Sequence, residues 1–314
     1  MNTPDCSIII RAYNEENHIS RLLQGILEQS AIRTQIILVD SGSTDHTREI
    51  AAKFPVEIVN IAPQDFTFGR SLNLGISCST APYVVMASAH VYPVYPDWLE
   101  KLLEPFVDER TALTYGKQRG SSTTHFSEHQ IFHQWYPDVS VNRQSIPFCN
   151  NANAAIRREL WTQHPYDETL PGLEDLEWGK WAQEQGFGIS YCAEAEVIHV
   201  HNESLAGIYN RYKREGMAFK RIYPHETFTL LDLVHLFSQN VLNDWREARR
   251  KRLLQANWKK IIGFRWLQFY GTYQGYRQSG PLTWQLKKAF YYPRETQAAK
   301  PAEKRRNIEP IQYN

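Results

Sequence analysis

Four cysteines in 314 residues, Cys6, Cys78, Cys149 and Cys192, are scattered with no Cys-x-x-Cys pair. That spacing offers neither a disulfide framework nor a cysteine zinc site, and the mostly apolar surroundings read as reduced thiols in a core. No apolar run approaches the ~20 residues that a membrane-crossing helix needs, and the first residues lack a basic segment followed by an apolar one. The expectation is a cytoplasmic protein. Net charge is nearly absent, at +1, so bulk electrostatics select no partner. There is no internal repeat, and the only biased segment is the polar stretch after Arg294, which reads as a disordered tail over 295–314.

What the chain does have is apolar runs that end in polar turns. Ile36-Ile37-Leu38-Val39 is a buried-strand run that stops at Asp40 and continues as Ser41-Gly42-Ser43-Thr44-Asp45. In open α/β sheets the carboxyl ends of such strands hold ligands, although an ordinary strand-turn-helix connection would look the same. A second run, Ser7-Ile8-Ile9-Ile10, ends in Arg11-Ala12-Tyr13-Asn14-Glu15-Glu16, and Ile19, Leu22, Leu23, Ile26 and Leu27 follow at helical spacing. Together these predict a βαβ unit with polar groups at its open edge. Further strands are expected over 55–60, 83–87, 112–117, 189–192 and 196–200. Helices are expected over 70–77, 98–106 and 174–185. Residues 118–147 read as an aperiodic insertion over the site.

These motifs resemble those of the family 2 glycosyltransferases of the GT-A fold. The likeness rests on the Tyr13-Asn14-Glu15-Glu16 turn, Val39-Asp40-Ser41-Gly42-Ser43-Thr44-Asp45, Phe68-Gly69-Arg70-Ser71-Leu72-Asn73, Tyr83-Val84-Val85-Met86 and Leu173-Glu174-Asp175. It spans roughly residues 5–205 and implies a Rossmann-like, mostly parallel mixed sheet flanked by helices. It implies a catalytic nucleotide-sugar-binding domain over 1–205, and because the chain turns helical, basic and aromatic after Asn202, a helical extension is expected over 206–294. Implied donor-pocket residues are Tyr13, Asn14, Glu15, Asp40, Ser41, Arg70, Ser88 and His90. Arg70 could instead form a surface salt bridge, but its position in the motif favours the pocket. Asp175, beside Glu174, is the implied base that deprotonates an acceptor hydroxyl in one inverting displacement, although an acid-rich helix start also suits the helix dipole.

One absence sets this chain apart from the family. Where most relatives carry Asp-x-Asp to hold Mg²⁺ or Mn²⁺ against the diphosphate, it has Ser88-Ala89-His90. His90 with His199 or His201, which strand alternation puts on one face, forms a candidate metal set suited to Mn²⁺ or another borderline ion; the alternative is a direct His90 contact to diphosphate. Tyr115-Gly116-Lys117-Gln118 and Asn150-Asn151-Ala152-Asn153 resemble segments of bacterial rhamnosyltransferase-like members. Asn151, Asn153 and Trp178 are the implied acceptor contacts. The Gln-x-x-Arg-Trp signature of processive synthases is missing, since Ile262 precedes Arg265-Trp266, so one sugar per encounter is expected. His125, His129 and His133, at i, i+4 and i+8, read as a polar helical face rather than a zinc site.

Charge is unevenly placed despite its small sum. Residues 243–294 hold twelve Lys or Arg against two Asp or Glu, a net of +10, which leaves −9 elsewhere. Interleaved with Trp, Tyr and Phe, this composition suits an interfacial helix on anionic lipid, at the inner face of the cell membrane, or a helical bundle packed on the catalytic domain. No nucleic-acid motif accompanies it. The expected partners are a nucleoside diphosphate sugar and a glycan or lipid-linked glycan acceptor. The rival is a degenerate nucleotide-sugar-binding or scaffold module. A nucleotidyltransferase is disfavoured because residues 11–16 offer no glycine-rich loop with a basic residue.

Overall fold

A computed structural model describes residues 3–29, 31–201, 203–278 and 308–313. Its sheet has eight strands in the order β3-β2-β1-β4-β7-β6-β8-β5. Strands β1 (Cys6–Ala12), β2 (Thr34–Asp40), β3 (Glu57–Asn60) and β4 (Tyr83–Ser88) are parallel neighbours. On the other side, β7 (Asn153–Arg157) runs antiparallel between β4 and β6 (Thr111–Gly120), and β8 (Gly188–His199) lies parallel to β6. The three-residue β5 (Val91–Pro93) closes that edge, antiparallel to β8.

Both faces of the sheet are covered, which is why its central strands are continuously apolar. Ile8 and Ile10 face Leu22, Leu23 and Ile26 of α1 (Ile19–Leu27) and Trp98, Leu99 and Leu102 of α4 (Trp98–Leu103). Ile9, Ile37 and Val39 face the opposite way, toward Leu72 and Ile76 of α3 (Phe68–Ser77) and Trp178 of α7 (Glu174–Glu184). The short α2 (Thr47–Ala51) and α6 (Arg158–Gln163) complete the layers. All four cysteines are free thiols, three of them buried.

Strand register builds the open edge. Ala12 pairs with Asp40, Arg11 with Ser88, Ala87 with Asn153 and Gly120 with His199. The carboxyl ends of β1, β2, β4, β6 and β8 and the start of β7 therefore share one side of the sheet.

Several boundaries differ from the sequence reading. The insertion 118–147 contains α5 (Phe126–Trp135), whose buried residues Ser127, Glu128 and Phe132 include a charged one, so its apolar periodicity is weak. The two late strands are one continuous β8, because Ala193 and Ala195 are as buried as their neighbours. Strand β5 was not foreseen; three residues are too few for a periodic signal.

Beyond Leu205 the chain forms α8 (Leu205–Ile222), α9 (Leu230–Arg250) and α10 (Leu254–Arg277). Helices α8 and α10 cross at glycines: a Cβ on Gly216 would sit 2.7 Å from the Thr272 carbonyl oxygen, and one on Gly271 would sit 2.7 Å from that of Tyr209. Arg265 of α10 forms a buried bidentate pair with Asp244 of α9, at 2.8 and 2.9 Å, and reaches the Ser127 carbonyl of α5. Residues 308–313, placed by the sequence in a disordered tail, instead pack on the catalytic part: Ile311 N–H donates to the Val94 carbonyl, and Tyr313 joins a cluster with Tyr92, Val94 and Ile198. The rest of that tail lies outside the described residues.

Candidate active site

At the β1–β2 corner, two turns hold each other in place. Asp40 is 1 % exposed, and its Oδ1 accepts from the Gly42 and Ser43 amides, both at 3.1 Å. Its Oδ2 is buried without a protein partner, a costly state unless a ligand donor completes it. Asn14 adopts a left-handed backbone (φ 55°), and its Oδ1 accepts from the Thr44 amide while its own amide donates to Ser43 Oγ. Ser41 Oγ donates to the Ala12 carbonyl. The side chains of Asn14 and Ser41 thus tie the turns together, so the pocket assigned to them as donor contacts is shaped by them from behind. Arg70 is exposed, 3.9 Å from Asp65, which matches the surface reading.

Arg11 carries this corner to α7. In register with Ser88, its Nη1 donates to Glu174 Oε1 at 3.0 Å, and its guanidinium lies over the Phe68 ring. Leu173 turns left-handed (φ 56°) immediately before α7, a conformation costing about 1 kcal/mol for such a side chain. Asp175 Oδ2 accepts from the Asn151 amide and Oδ1 from the Leu176 amide. Burial, together with the neighbouring Glu174 carboxylate, pushes the Asp175 pKa up to about 7. A carboxyl so poised takes a proton at neutral pH, as a general base must.

The assigned acceptor contacts are corrected here. Trp178 is fully buried and donates its Nε1–H to the His164 carbonyl, so it belongs to the core. Asn153 is also fully buried, with its amide spent on Trp98, Lys117 and Ala195. Asn151 Oδ1 accepts from Tyr166, and its Nδ2 approaches Glu174 Oε1 at 3.4 Å. It orients the acidic pair.

A third feature is a triad of imidazoles. Ring nitrogens of His90, His199 and His201 lie within 4.8 Å of one another. The Nδ1 atoms are all engaged: that of His90 is 2.7 Å from Glu15 Oε1, that of His199 2.6 Å from Gln118 Oε1, and that of His201 2.7 Å from Glu128 Oε1. Nε2 is the nitrogen left to each ring, and in His199 it is buried without a partner. Metal-binding histidines are commonly held this way, with the far nitrogen on a carboxylate or carbonyl. The donor set fits a borderline divalent ion such as Mn²⁺, Co²⁺ or Zn²⁺ and fits Mg²⁺ poorly, since no carboxylate stands among the three.

Electrostatics distinguish the three rings. Burial opposes charge on His90, but the Glu15 carboxylate outweighs it and raises its pKa, so a cation held there would compete with a proton for that ring. Burial and the neighbouring His201 and His90 hold His199 well below the ordinary value, ready as a neutral ligand. Glu128 is kept ionised against its burial by Arg211 and His201. Arg211 of α8 bridges Glu128 and Glu203, each at 2.7 Å. Sequence reasoning gave no role to Arg11, Gln118, Glu128 or Arg211, although Arg11 and Gln118 stand in segments it singled out, because their partners lie far along the chain. His129 and His133 lie on α5, outside this cluster.

Comparison with known proteins identifies the family and the fold. The chain matches the family model "Glycosyl transferase family 2" over residues 7–163, half its length, and belongs to that family. It is 26% identical over 232 residues to the O-antigen chain rhamnosyltransferase WbaN of Salmonella anatum, covering 68% of this chain and 72% of that protein. It is 23% identical over 258 residues to the poly(ribitol-phosphate) beta-N-acetylglucosaminyltransferase TarS of Staphylococcus aureus, covering 79% and 42%. Among solved structures, mannosyltransferase PcManGT from Pyrobaculum calidifontis, in complex with GDP-Man and Mn²⁺, superimposes with a TM-score of 0.60 at 15% identity, covering 88% of each chain. Glucosyl-3-phosphoglycerate synthase from Mycobacterium tuberculosis, with Mn²⁺ and UDP, gives 0.55 at 19% identity, covering 71% and 81%. The fold is GT-A and the protein is a glycosyltransferase; the degenerate-module reading is not favoured. Among the described residues, no helix is long and apolar enough to cross a membrane.

Proposed function

We propose that this enzyme moves one sugar at a time from a nucleoside diphosphate sugar to a hydroxyl of a glycan or lipid-linked glycan, with inversion. The observation that carries the proposal is the shared edge: β-sheet register sets Asp40 opposite Ala12 and Ser88 opposite Arg11, and Arg11 reaches Glu174 beside Asp175. Donor recognition, leaving-group stabilisation and base thus fall on one side of the sheet. Asp40 accepts hydrogen bonds from the nucleoside through its unpartnered oxygen, with Tyr13 and Glu15 in the adjoining turn after β1. Asp175 removes the acceptor proton. His90, His199 and His201 would hold the divalent ion, which when bound neutralises charge on the departing diphosphate.

The rhamnosyltransferase relatives make a nucleoside diphosphate rhamnose the first donor to test. A thermal-shift screen over nucleotide sugars reads binding directly, because a ligand at about one hundred times its dissociation constant stabilises by ~2.7 kcal/mol. Release of nucleoside diphosphate on adding an acceptor glycan then reads transfer. No stabilisation by any nucleotide sugar, with or without Mn²⁺, would defeat the proposal.

A membrane-facing role for α9 and α10 is supported by Leu231 at 81 % exposure, by exposed Leu230, Val234, Trp258 and Trp266, and by exposed Arg249, Arg250, Lys251 and Arg252. Peripheral docking on the inner face of the cell membrane would bring the site to a lipid-linked acceptor. Part of that charge is spent locally, since Arg250 and Lys251 pair with Glu247. Residues 279–294 of the basic region lie outside the described residues. Sedimentation with anionic vesicles at low salt, lost in neutral vesicles, is the expected result; equal partitioning to both would refute it.

A further inference from the structure

We infer that residues 308–313 form a strap that holds β5, and through it His90, in place against the histidine strand; the claim rests on reading the three histidines as a cation site. Strand β5 has only three residues and lies at the sheet edge, a length that gives little stability by itself. Yet the place of His90 beside the other two rings depends on it. Val91 pairs with His199, and the carbonyl of His90 accepts from the Val200 amide. If β5 lifts, His90 leaves the other two rings.

The strap meets β5 from the side away from the imidazoles. Ile198 and Val200 alternate with His199 and His201 and so face the other way; they pack with Tyr92, Val94 and Tyr95, and Tyr313 closes this cluster. Ile311 N–H donates to the Val94 carbonyl at 3.1 Å, Tyr313 Oη donates to the Pro93 carbonyl, and the Tyr313 and Tyr92 rings lie 5.6 Å apart. Helix α1 leaves room for this docking at Gly25, where a Cβ would collide with the Tyr313 hydroxyl and lie 2.9 Å from Pro93. The hydrogen bonds of Ile311 and Tyr313 and the Tyr313–Tyr92 ring contact fall on the backbone or back surface of β5 and its continuation, while Gln24 of α1 reaches the Gln312 carbonyl at 3.5 Å. None of these contacts involves an imidazole, so the strap positions the site through β5.

The test uses the full chain with Tyr313→Ala and, as conservative control, Tyr313→Phe, which keeps the ring and loses one hydrogen bond. Amide hydrogen exchange at Val200 reads the β5 contact directly, and Co²⁺ titration followed by its visible spectrum reads the histidine site. We expect Tyr313→Ala to speed exchange at Val200 and to weaken Co²⁺ binding by about tenfold, the low end for changes behind metal ligands. Tyr313→Phe should stay near the unaltered chain. A chain ending at Asn307 should behave like Tyr313→Ala and recover when a peptide of residues 308–314 is added. Unchanged exchange in Tyr313→Ala overturns the strap, and faster exchange with unchanged Co²⁺ affinity overturns the positioning role. If the unaltered chain takes up no Co²⁺, the cation reading itself falls and the positioning claim with it, whereas the exchange data still decide the strap.

Discussion

The β1–β2 corner and the histidine corner stand on the same sheet edge but are built in opposite ways. The first is made by two turns, residues 12–16 and 40–47, whose side chains bond to each other's backbone: Asn14 to Thr44, Ser43 to Asn14, Thr47 to Glu15, Asp45 to Glu16. The second needs β4–β5, β6, β8, α5 and α8 at once, and its polar groups form one chain from His201 through Glu128 to Arg211 and Glu203. Turn chemistry is local and redundant, so it survives the loss of one bond. A buried charge chain is cooperative, and removal of one member strands the others.

Removal of Arg211 gives the sharpest contrast. Replacing it by Met leaves the buried Glu128 and the partly exposed Glu203 without their shared cation, and we expect urea unfolding to show a loss of about 3–5 kcal/mol, carried by Glu128. By comparison, Asp45→Ala removes one carboxylate that accepts from the Thr47 amide at 3.0 Å and should cost only about 1 kcal/mol. Equal losses in the two variants would erase the distinction between the corners.

On α7, which Arg11 joins to the β1 edge through Glu174, Asp175→Asn should lower transfer by roughly a hundredfold or more while donor affinity by calorimetry stays within about twofold. Near-normal turnover would remove Asp175 as base. The same residue sets a pH dependence: the rate should rise with pH through about 7 as Asp175 loses its proton. Stability runs the other way. With a folded pKa raised from 3.8, the native state holds the extra proton between about 4 and 7, so stability falls as pH rises through that window. Asp175→Asn lacks this cost, and its melting temperature relative to the unaltered chain should increase from pH 5 to pH 8.

The β1–β2 corner should answer mainly in affinity. Asp40→Ala removes both the unpartnered oxygen and the Asx turn, and a loss of about 1–3 kcal/mol in nucleotide-sugar binding is expected. Unchanged affinity would show that the orphaned oxygen faces no ligand. Asp40→Ala should leave Co²⁺ binding at the histidines unaffected, since no side-chain bond joins Asp40 to that cluster.

Strand runs, the Asp40 turn and the Glu174-Asp175 helix start were legible in the sequence because each is a local pattern: alternation or continuity of apolar residues, then a turn or a cap. That His199 and His201 share a face was legible too, as strand periodicity alone requires it. Sequence likewise placed His90 near them only through a resemblance; the gathering of three ring nitrogens within 4.8 Å depends on β5, too short to be seen. Trp178 and Asn153 looked like acceptor contacts, yet burial made both structural, because solvent exposure is a property of neighbours distant in the chain. The partners Glu15, Gln118, Glu128 and Arg211 and the docked residues 308–313 were decided only by tertiary structure, for the same reason: a side chain's hydrogen-bond partner is set by which surfaces meet, and no spacing along the chain records that.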